Sequence, residues 1–475
     1  VLEMRRRDRP NTWGLWGEFR HVVTRDHSIE IDERTLADGT ILKPLDRDEV
    51  RRAAKRLLDL GCEAVGIVFV NAYANSHNET EALAAVREVW PNDHVNASSL
   101  ILPEIREFER ASTTALNVCL QPVLGAYLGK LESSLAATGA RSDLFIVQSN
   151  GGVMSVDTAR RFPVRTTLSG PAAGVIAGAA IAEAAGFPNV ITCDMGGTSF
   201  DVALVAGGKS AQSLQTAIDF GLVIRSPMIE ITTIGAGGGS IAWVDRGGFL
   251  QIGPESAGAD PGPACYGLGA DRPTVTDAHL VLGRINPDRP IGGKLLRLDT
   301  EAAAAAIRRH VAEPLGLEPM AAAEAILRVA NSRMSGAIRL VSIERGHDPK
   351  KFALMPFGGG GALHAGALMR EVGLARAIVP RFPGITSAMG CVLADMRHDF
   401  VHTINRPLAG LDLGPLAAEM AATAERGLAL IDSAGVRLVG REVAFELDMS
   451  YIGQTHTVAV PLPATYDGGA VRITP

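Results

Sequence analysis

Val190-Ile191-Thr192-Cys193-Asp194-Met195-Gly196-Gly197-Thr198-Ser199-Phe200-Asp201 is the stretch on which the reading of this chain turns. An apolar run ends in a carboxylate, two glycines and a hydroxyl, and 200–205 (FDVALV) reads as a strand returning antiparallel. Asp194, at the end of a buried strand, is placed to reach a Mg²⁺ ion or its waters. Gly196 and Gly197, having no Cβ, let backbone N–H groups approach phosphate oxygens. Thr198 adds a hydroxyl donor, and Asp201 stands close enough to act on the same ion. The alternative is a hairpin turn that carries one Asp and two Gly for structural reasons alone.

A second glycine cluster, Phe357-Gly358-Gly359-Gly360-Gly361-Ala362-Leu363-His364-Ala365, follows an apolar strand at 352–355 and opens a helix running to about Glu371. Strand, glycine loop and helix start together form an anion or nucleotide site, because unpaired N–H groups and the helix dipole face the loop. No Lys follows the glycines, so this is not a Walker loop. A tight strand-to-helix crossover is the competing reading. Gly237, Gly238, Gly239 and Ser240 make a further glycine turn, either in the cleft or a simple packed loop. Together, the two main motifs look like the phosphate and adenosine elements of an actin/hexokinase-type nucleotide cleft, which makes the expected fold a two-lobed α/β ATPase core.

The rest of the sequence agrees with an α/β protein. Residues 46–59 read as an amphipathic helix closed by Gly61, 64–70 as a strand buried on both faces, 77–90 and 108–137 as helices, and 144–147 as a second buried strand. Strands alternating with helices predict a mostly parallel sheet. Helices follow at 301–312 and 321–342. Past residue 396 come polar loops, a helix at 414–434 and alternating strands at 443–449 and 456–460, the texture of a small β-containing domain. The expected divisions are therefore 1–105, 106–395 and 396–475. The 52 glycines in 475 residues, against an average of about 7%, fall in clusters without a repeat, which excludes a collagen or linker reading.

A formal charge of −6 gives no electrostatic reason to expect nucleic acid or an anionic membrane. No stretch approaches the ~18 uninterrupted apolar residues of a membrane span. The five cysteines are scattered and never spaced as CxxC, so a reducing, cytoplasmic setting is expected. Arg5-Arg6-Arg7 reads as a solvated surface run. The first residues carry neither an initiator Met nor a signal peptide, and the sequence reads as a piece of a longer chain.

Seven motifs in order resemble the hydantoinase A/5-oxoprolinase family. They are 149–152 (SNGG), 168–174 (LSGPAAG), 194–201, 234–240 (IGAGGGS), 258–267 (GADPGPACYG), 357–365 and 383–390 (PGITSAMG). The resemblance is collinear along the chain. It implies ATP-dependent hydrolysis of a cyclic amide or imide such as a hydantoin or 5-oxoproline, with the carbonyl activated by phosphorylation. Alternatively, it implies the ATP-using subunit of an acetone or acetophenone carboxylase. From another class, a non-catalytic actin-like module that opens and closes on partners has the same motifs.

Carried over by residue, the resemblance assigns Mg²⁺ (or Mn²⁺) to Asp194 and the β/γ-phosphates of ATP to Gly196, Gly197 and Thr198. Gly358, Gly359, Gly360 and Gly361 take the nucleoside and α-phosphate side, with Gly237 and Gly238 in the cleft and Asp194 and Asp201 as catalytic carboxylates. It also implies a small-molecule substrate, and a homo-oligomer or a complex with a hydantoinase B-like subunit. The family's own N-terminal DxGGTFTD-type element would lie ahead of Val1, and the C-terminal domain would be incomplete. Asp260, Cys265 and Arg110 are weaker substrate candidates, Cys265 as readily a packing residue. Glu109 with Arg110 also reads as a helix-surface ion pair. Asp277 and His279 offer a carboxylate and an imidazole, although the family carries Asn where His279 stands. His364 divides evenly between cleft and packing roles, and His347 reads as structural.

Overall fold

A computed structural model of the protein describes residue 2 and residues 21–140, 142–219, 222–290, 295–454 and 457–473. Arg5, Arg6, Arg7 and His456 lie outside the described residues. Helix α1 (Arg47–Asp59) starts where Asp46 accepts from the Asp48 amide at 2.8 Å, and it buries Val50 and Ala54. The apolar run at 64–70 yields only a short strand, β1 (Val65–Ile67). Beyond Ile67 the backbone leaves the ladder. The Phe69 amide donates to Glu79 Oε1 at 2.9 Å, and the Phe69 carbonyl accepts from Arg110 Nη2 at 2.6 Å. After α2 (His77–Arg87), β2 (Val95–Ala97) pairs with β1 in parallel. Helix α3 (Glu107–Ala137) leads to β3 (Phe145–Val147), which is half-buried and pairs antiparallel with β4 (Val153–Ser155).

Helix α4 (Ser169–Ala184) precedes β5 (Val190–Met195) and β6 (Phe200–Ala206), the hairpin expected from the sequence. Two hairpins that the sequence reading did not identify follow. They are β7 (Gln212–Asp219) with β8 (Leu222–Ile229) and, after β9 (Thr232–Ile234), β10 (Ser240–Val244) with β11 (Leu250–Ser256). Then come α5 (Val275–Val281), α6 (Thr300–Ile307) with a π turn over Arg308–Ala312, α7 (Pro319–Val341), β12 (Ala353–Phe357), α8 (Gly358–Val372) and α9 (Thr386–Leu393). Helix α10 (Leu413–Ser433) and the antiparallel pair β13 (Glu446–Met449) and β14 (Val458–Pro461) come next, and a last antiparallel pair, β15 (Ala464–Tyr466) with β16 (Val471–Ile473), closes the described chain. Segment 395–399 is stitched to 148–153, with Val153 N donating to Asp395 O at 2.8 Å and Asn150 Nδ2 to Asp399 Oδ2 at 2.7 Å.

The central sheet runs β9–β6–β5–β12, and only β5 with β12 is parallel. The antiparallel return expected for 200–205 is present, while the mostly parallel sheet expected for the first half is corrected, since β1 pairs with β2 in parallel but β3 pairs antiparallel with β4. The tight turn at Gly196 and Gly197 returns β6 beside β5, and a two-strand return of that length can only be antiparallel. Strand alternation separates two cores. Ile191, Cys193, Met195, Val202 and Leu204 pack with Ile326, Ala330, Met334 and Ile338 of α7. On the opposite face Val190, Ala203, Val205, Met355 and Phe357 pack with Ala172, Val175 and Ala182 of α4. The molecule here is helix, sheet, helix.

Helix α4 lies close to the sheet because its facing residues are small. A Cβ on Gly178 would stand 2.6 Å from Thr192 Cγ2, and one on Gly174 would stand 2.9 Å from Phe357 Cε2 and Ser387 Oγ. Helix α9 presses on α4 in the same way, with Gly390 against the Ala173 carbonyl. Gly390→Ala is expected to lower the unfolding free energy by at least about 1–3 kcal/mol, since backbone cannot step aside. Gly336→Ala, mid-helix in α7 with no atom within 4 Å of the new Cβ, is expected to gain up to about 1 kcal/mol. Urea unfolding of both variants checks the pair of signs.

Candidate nucleotide site

The parallel register of β12 on β5 aligns Phe357 with Asp194. Gly358, the first residue of α8, therefore arrives beside the Asp194 carboxylate. Its φ is +81°, and a Cβ there would collide with Asp194 Oδ1 and crowd the Met195 carbonyl. Only glycine meets both demands. The antiparallel register of β5 on β6 makes Asp194 and Asp201 cross-strand partners, so two carboxylates stand together at the mouth of the hairpin.

Each carboxylate is oriented by hydroxyls. Ser387 Oγ, from α9, donates to Asp194 Oδ2 at 3.1 Å. Thr233 Oγ1 donates to Asp201 Oδ1 at 2.5 Å and Ser199 Oγ to Asp201 Oδ2 at 3.2 Å. Burial raises the pKa of both acids above the ordinary carboxylate value. The Asp201 charge adds to the rise at Asp194, and the hydroxyl bonds oppose it. A pair in this state gains most from a cation, which relieves both desolvation and repulsion.

The turn between the acids is gripped from one side. Gly238 N donates to Gly196 O at 2.9 Å, and Gly239 N to Gly197 O at 2.6 Å. Gly237 comes so near that a Cβ would stand 2.6 Å from backbone atoms of Gly197 and Thr198. The other side is open. Gly196, Gly197 and Thr198 are exposed, and nothing lies within 4 Å of where a Cβ of Gly196, Gly197 or Gly359 would point. Exposed glycine backbone, the N-terminus of a 15-residue helix and two acids fit a nucleotide phosphate with its metal. Among the described residues no group of three or more His, Cys, Asp or Glu could hold a metal ion by itself. A two-carboxylate site suits Mg²⁺, which keeps waters and takes phosphate oxygens rather than a full protein cage.

Helix α5 anchors the glycine loop from behind. Thr276 N and Oγ1 both donate to Gly238 O at 2.8 Å. Asp277 is fully buried and forms a capping box with the N-cap Thr274. It accepts from Thr274 N at 2.7 Å and Oγ1 at 2.8 Å, from Cys265 N at 2.8 Å and from Ala264 N at 3.2 Å. His279 Nε2 and His364 Nε2 lie 3.0 Å apart, and His364 Nδ1 is 2.6 Å from Asn331 Oδ1. His347 stacks edge-on against Phe352, a packing role.

The structure thus brings together Asp194, Asp201, Gly196, Gly197, Thr198, Gly237, Gly238 and Gly358–Gly361. Of the three weaker substrate candidates, Asp260 is exposed on a loop held to the site where Ala257 N donates to Gly239 O at 2.9 Å. Cys265 is buried, and burial with Asp277 nearby pushes its thiol pKa up, which makes it a packing residue. Arg110 stands apart from this turn, fully buried, donating to the carbonyls of Glu104 (2.8 Å) and Phe69 (2.6 Å). The expected surface ion pair of Glu109 with Arg110 is corrected, since both side chains are buried and Glu109 lies 3.7 Å from Arg106 Nη1. Ser199, Thr233 and Ser387 were missed. Ser387 sits 193 residues from its partner Asp194, and only its place inside the motif at 383–390 marked it.

A mixed α/β core with paired acids on a glycine hairpin, faced by a glycine-started helix, has the architecture of the actin/hexokinase fold class. The chain belongs to the hydantoinase/oxoprolinase family. The Hydantoinase/oxoprolinase model matches residues 110–400, and the Hydantoinase/oxoprolinase N-terminal region matches 1–90. Caprolactamase subunit alpha of Pseudomonas jessenii is 39% identical over 445 residues, covering 93% of this chain and 64% of that protein. The crystal structure of the ATP-dependent caprolactamase from the same organism superposes with a TM-score of 0.79, covering 91% of this chain and 63% of that one. Nucleotide-free acetone carboxylase is 28% identical with a TM-score of 0.76, covering 95% and 64%. The chain spans less than two thirds of the length of each.

Two outcomes follow from the electrostatics. Asp194→Asn is expected to raise the thermal midpoint of the ligand-free protein near pH 7 and to abolish binding of Mg²⁺ nucleotide, measured by calorimetric titration. A raised folded pKa makes the ionised acid a liability that disappears as the pH falls, so the gain shrinks in acid. For the histidines the sign is opposite. Burial lowers His279 from 6.5 to about 3 and His364 to about 4, so both fold neutral while the unfolded chain takes up protons below 6.5. Stability is then present above pH 6.5 and falls on acidification, by about 2 kcal/mol per histidine at pH 5. His279→Gln is expected to lose about 2 kcal/mol less than the parent between pH 7 and pH 5, and equal losses would show that the folded ring already binds the proton.

Proposed function

We propose that the full protein is a cytoplasmic ATP-dependent cyclic amidohydrolase that opens a lactam, hydantoin or 5-oxoproline ring. The observation that carries this reading is the Asp194–Asp201 pair on an open glycine turn, in a chain 39% identical to a caprolactamase subunit. Asp194 and Asp201 hold Mg²⁺ (or Mn²⁺), with Ser387, Thr233 and Ser199 fixing the direction of their oxygens. Gly196, Gly197 and Thr198 bind the β- and γ-phosphates, Gly358–Gly361 the nucleoside side, and Gly237 and Gly238 hold the turn in shape. ATP supplies a phosphoryl group that makes the amide carbonyl oxygen a leaving group. The residues' contribution is to orient the phosphates and neutralise their charge, the main demand of phosphoryl transfer. Ring opening then adds one water across the C–N bond of the phosphorylated amide, giving an amine and an acyl phosphate, and a second water releases the phosphate to leave the carboxylate. Asp260, the one exposed side chain of the three assigned to substrate, is the proposed ring contact.

The similarity to acetone carboxylase supports a second reading, in which the phosphoryl acceptor is a ketone or bicarbonate oxygen. The match to a protein named as a subunit supports a complex with a hydantoinase B-like partner. The deciding experiment measures ADP release by the full-length protein with Mg²⁺, offered lactams, hydantoins, 5-oxoproline, or ketone plus bicarbonate. Stimulation by one ring compound, lost in Asp194→Asn, is the expected result. Stimulation only by ketone plus bicarbonate assigns the carboxylase reading. Nucleotide binding with no stimulation by any of them, even with the partner subunit added, supports the non-catalytic module.

A further inference from the structure

Asn331 of α7, His364 of α8 and His279 of α5 form a buried chain that the reading above leaves without a task. They are 6%, 1% and 2% exposed. The positions of the protons follow from the acceptors. Asn331 Oδ1 can only accept, so His364 carries its proton on Nδ1 and donates across 2.6 Å. The neutral His364 ring then has a bare Nε2, which accepts from His279 Nε2–H across 3.0 Å. His279 Nδ1 is left as a buried acceptor with no hydrogen-bond partner. Both rings stay neutral near pH 7, and Arg284 is the charged group that acts on both. Two leucines would fill such a space without an orphaned nitrogen, so volume alone does not account for the pair.

What the chain joins gives it a purpose. Three residues before His279, Thr276 holds the Gly238 carbonyl, and the Gly238 amide holds Gly196. Six residues before His364, Gly358 abuts Asp194. The contacts therefore close a ring from the glycine turn through loop 235–240, α5, the two histidines and α8, back to the turn. We infer that the His279–His364 hydrogen bond is the tie that fixes the separation of loop 235–240 from the start of α8, making both histidines positioning residues for nucleotide binding. The inference rests on the nucleotide reading and adds to it which side chains set the width of the site.

The test is calorimetric titration of the full-length protein with MgADP, alongside thermal unfolding. His279→Gln keeps an N–H donor where the imidazole Nε2 stands. His279→Asn keeps the amide but stops short of His364, and His279→Phe keeps volume without a donor. The glutamine variant is expected to bind within about twofold of the parent, while the asparagine and phenylalanine variants weaken by about 3- to 10-fold, the loss of one buried hydrogen bond. Should the phenylalanine variant fail to fold, the asparagine and glutamine variants decide, because they differ only in reach. Equal affinity of all folded variants and the parent overturns the tie alone, as does a glutamine variant as weak as the asparagine one. Failure of the parent to bind MgADP overturns the nucleotide reading and the tie with it.

Discussion

The arrangement depends on one close approach, the backbone of Gly358 against Asp194 and Met195. It requires β12 to lie parallel to β5 in a register that levels Phe357 with Asp194. A slip of one residue would turn Phe357 from the α4 face to the α7 face and carry the helix start away from the carboxylate. The register is held by what each strand buries. Met355 and Phe357 are packed with α4 on one side, and Leu354 with the α7 cluster on the other. The fold's two cores therefore set the position of the acid that the proposed chemistry needs.

The glycines of the site serve three different physical demands. Gly358 answers a positive φ together with a collision. Gly237 answers a collision alone, its Cβ position falling among the Gly197 and Thr198 backbone. Gly196, Gly197 and Gly359 face open space, where a side chain would fit the protein and would occupy the room in which phosphate oxygens approach. Substitution at the first two should act on the fold, and at the last three on the ligand. A glycine count alone does not separate these roles, since the same residue type appears in each.

Much of this was legible in the sequence. The hairpin 190–205, the strand and helix around 358, and the helices near 46–59, 77–90, 108–137 and 321–342 were all marked by apolar spacing and by caps or glycines. The acids and glycines of the turn were legible because their chemistry is local. Strand β1 was overcalled because its apolar run continues past Ile67, and the sequence does not show that Glu79 and Arg110 take the Phe69 backbone. The hairpin β7–β8 was missed because part of its support is remote, Ser112 Oγ bonding the Val223 carbonyl at 2.8 Å and Thr113 Oγ1 accepting from Arg225 N at 3.0 Å. Of the hydroxyls that orient the acids, Thr233 and Ser387 were missed for the same reason, whereas Ser199 stands two residues from Asp201. A serine becomes informative only once its carboxylate, nearly two hundred residues away, is known.

The ligand-free site is a region the protein maintains at a cost. Two acids are held where burial opposes their charge, two histidines where burial opposes protonation, and one ring nitrogen goes without a partner. None of these features improves the apolar core, and each would be simpler to replace by leucine or alanine. They persist together in one ring of contacts around exposed glycine backbone, which is the pattern expected where stability is traded for a ligand. A bound cation and anion would reverse the terms at the acids, stabilising the ionised forms that the empty protein disfavours. Binding should therefore tighten the hairpin, the glycine loop and α8 as one unit, since each is fixed to the next by hydrogen bonds or direct backbone contact.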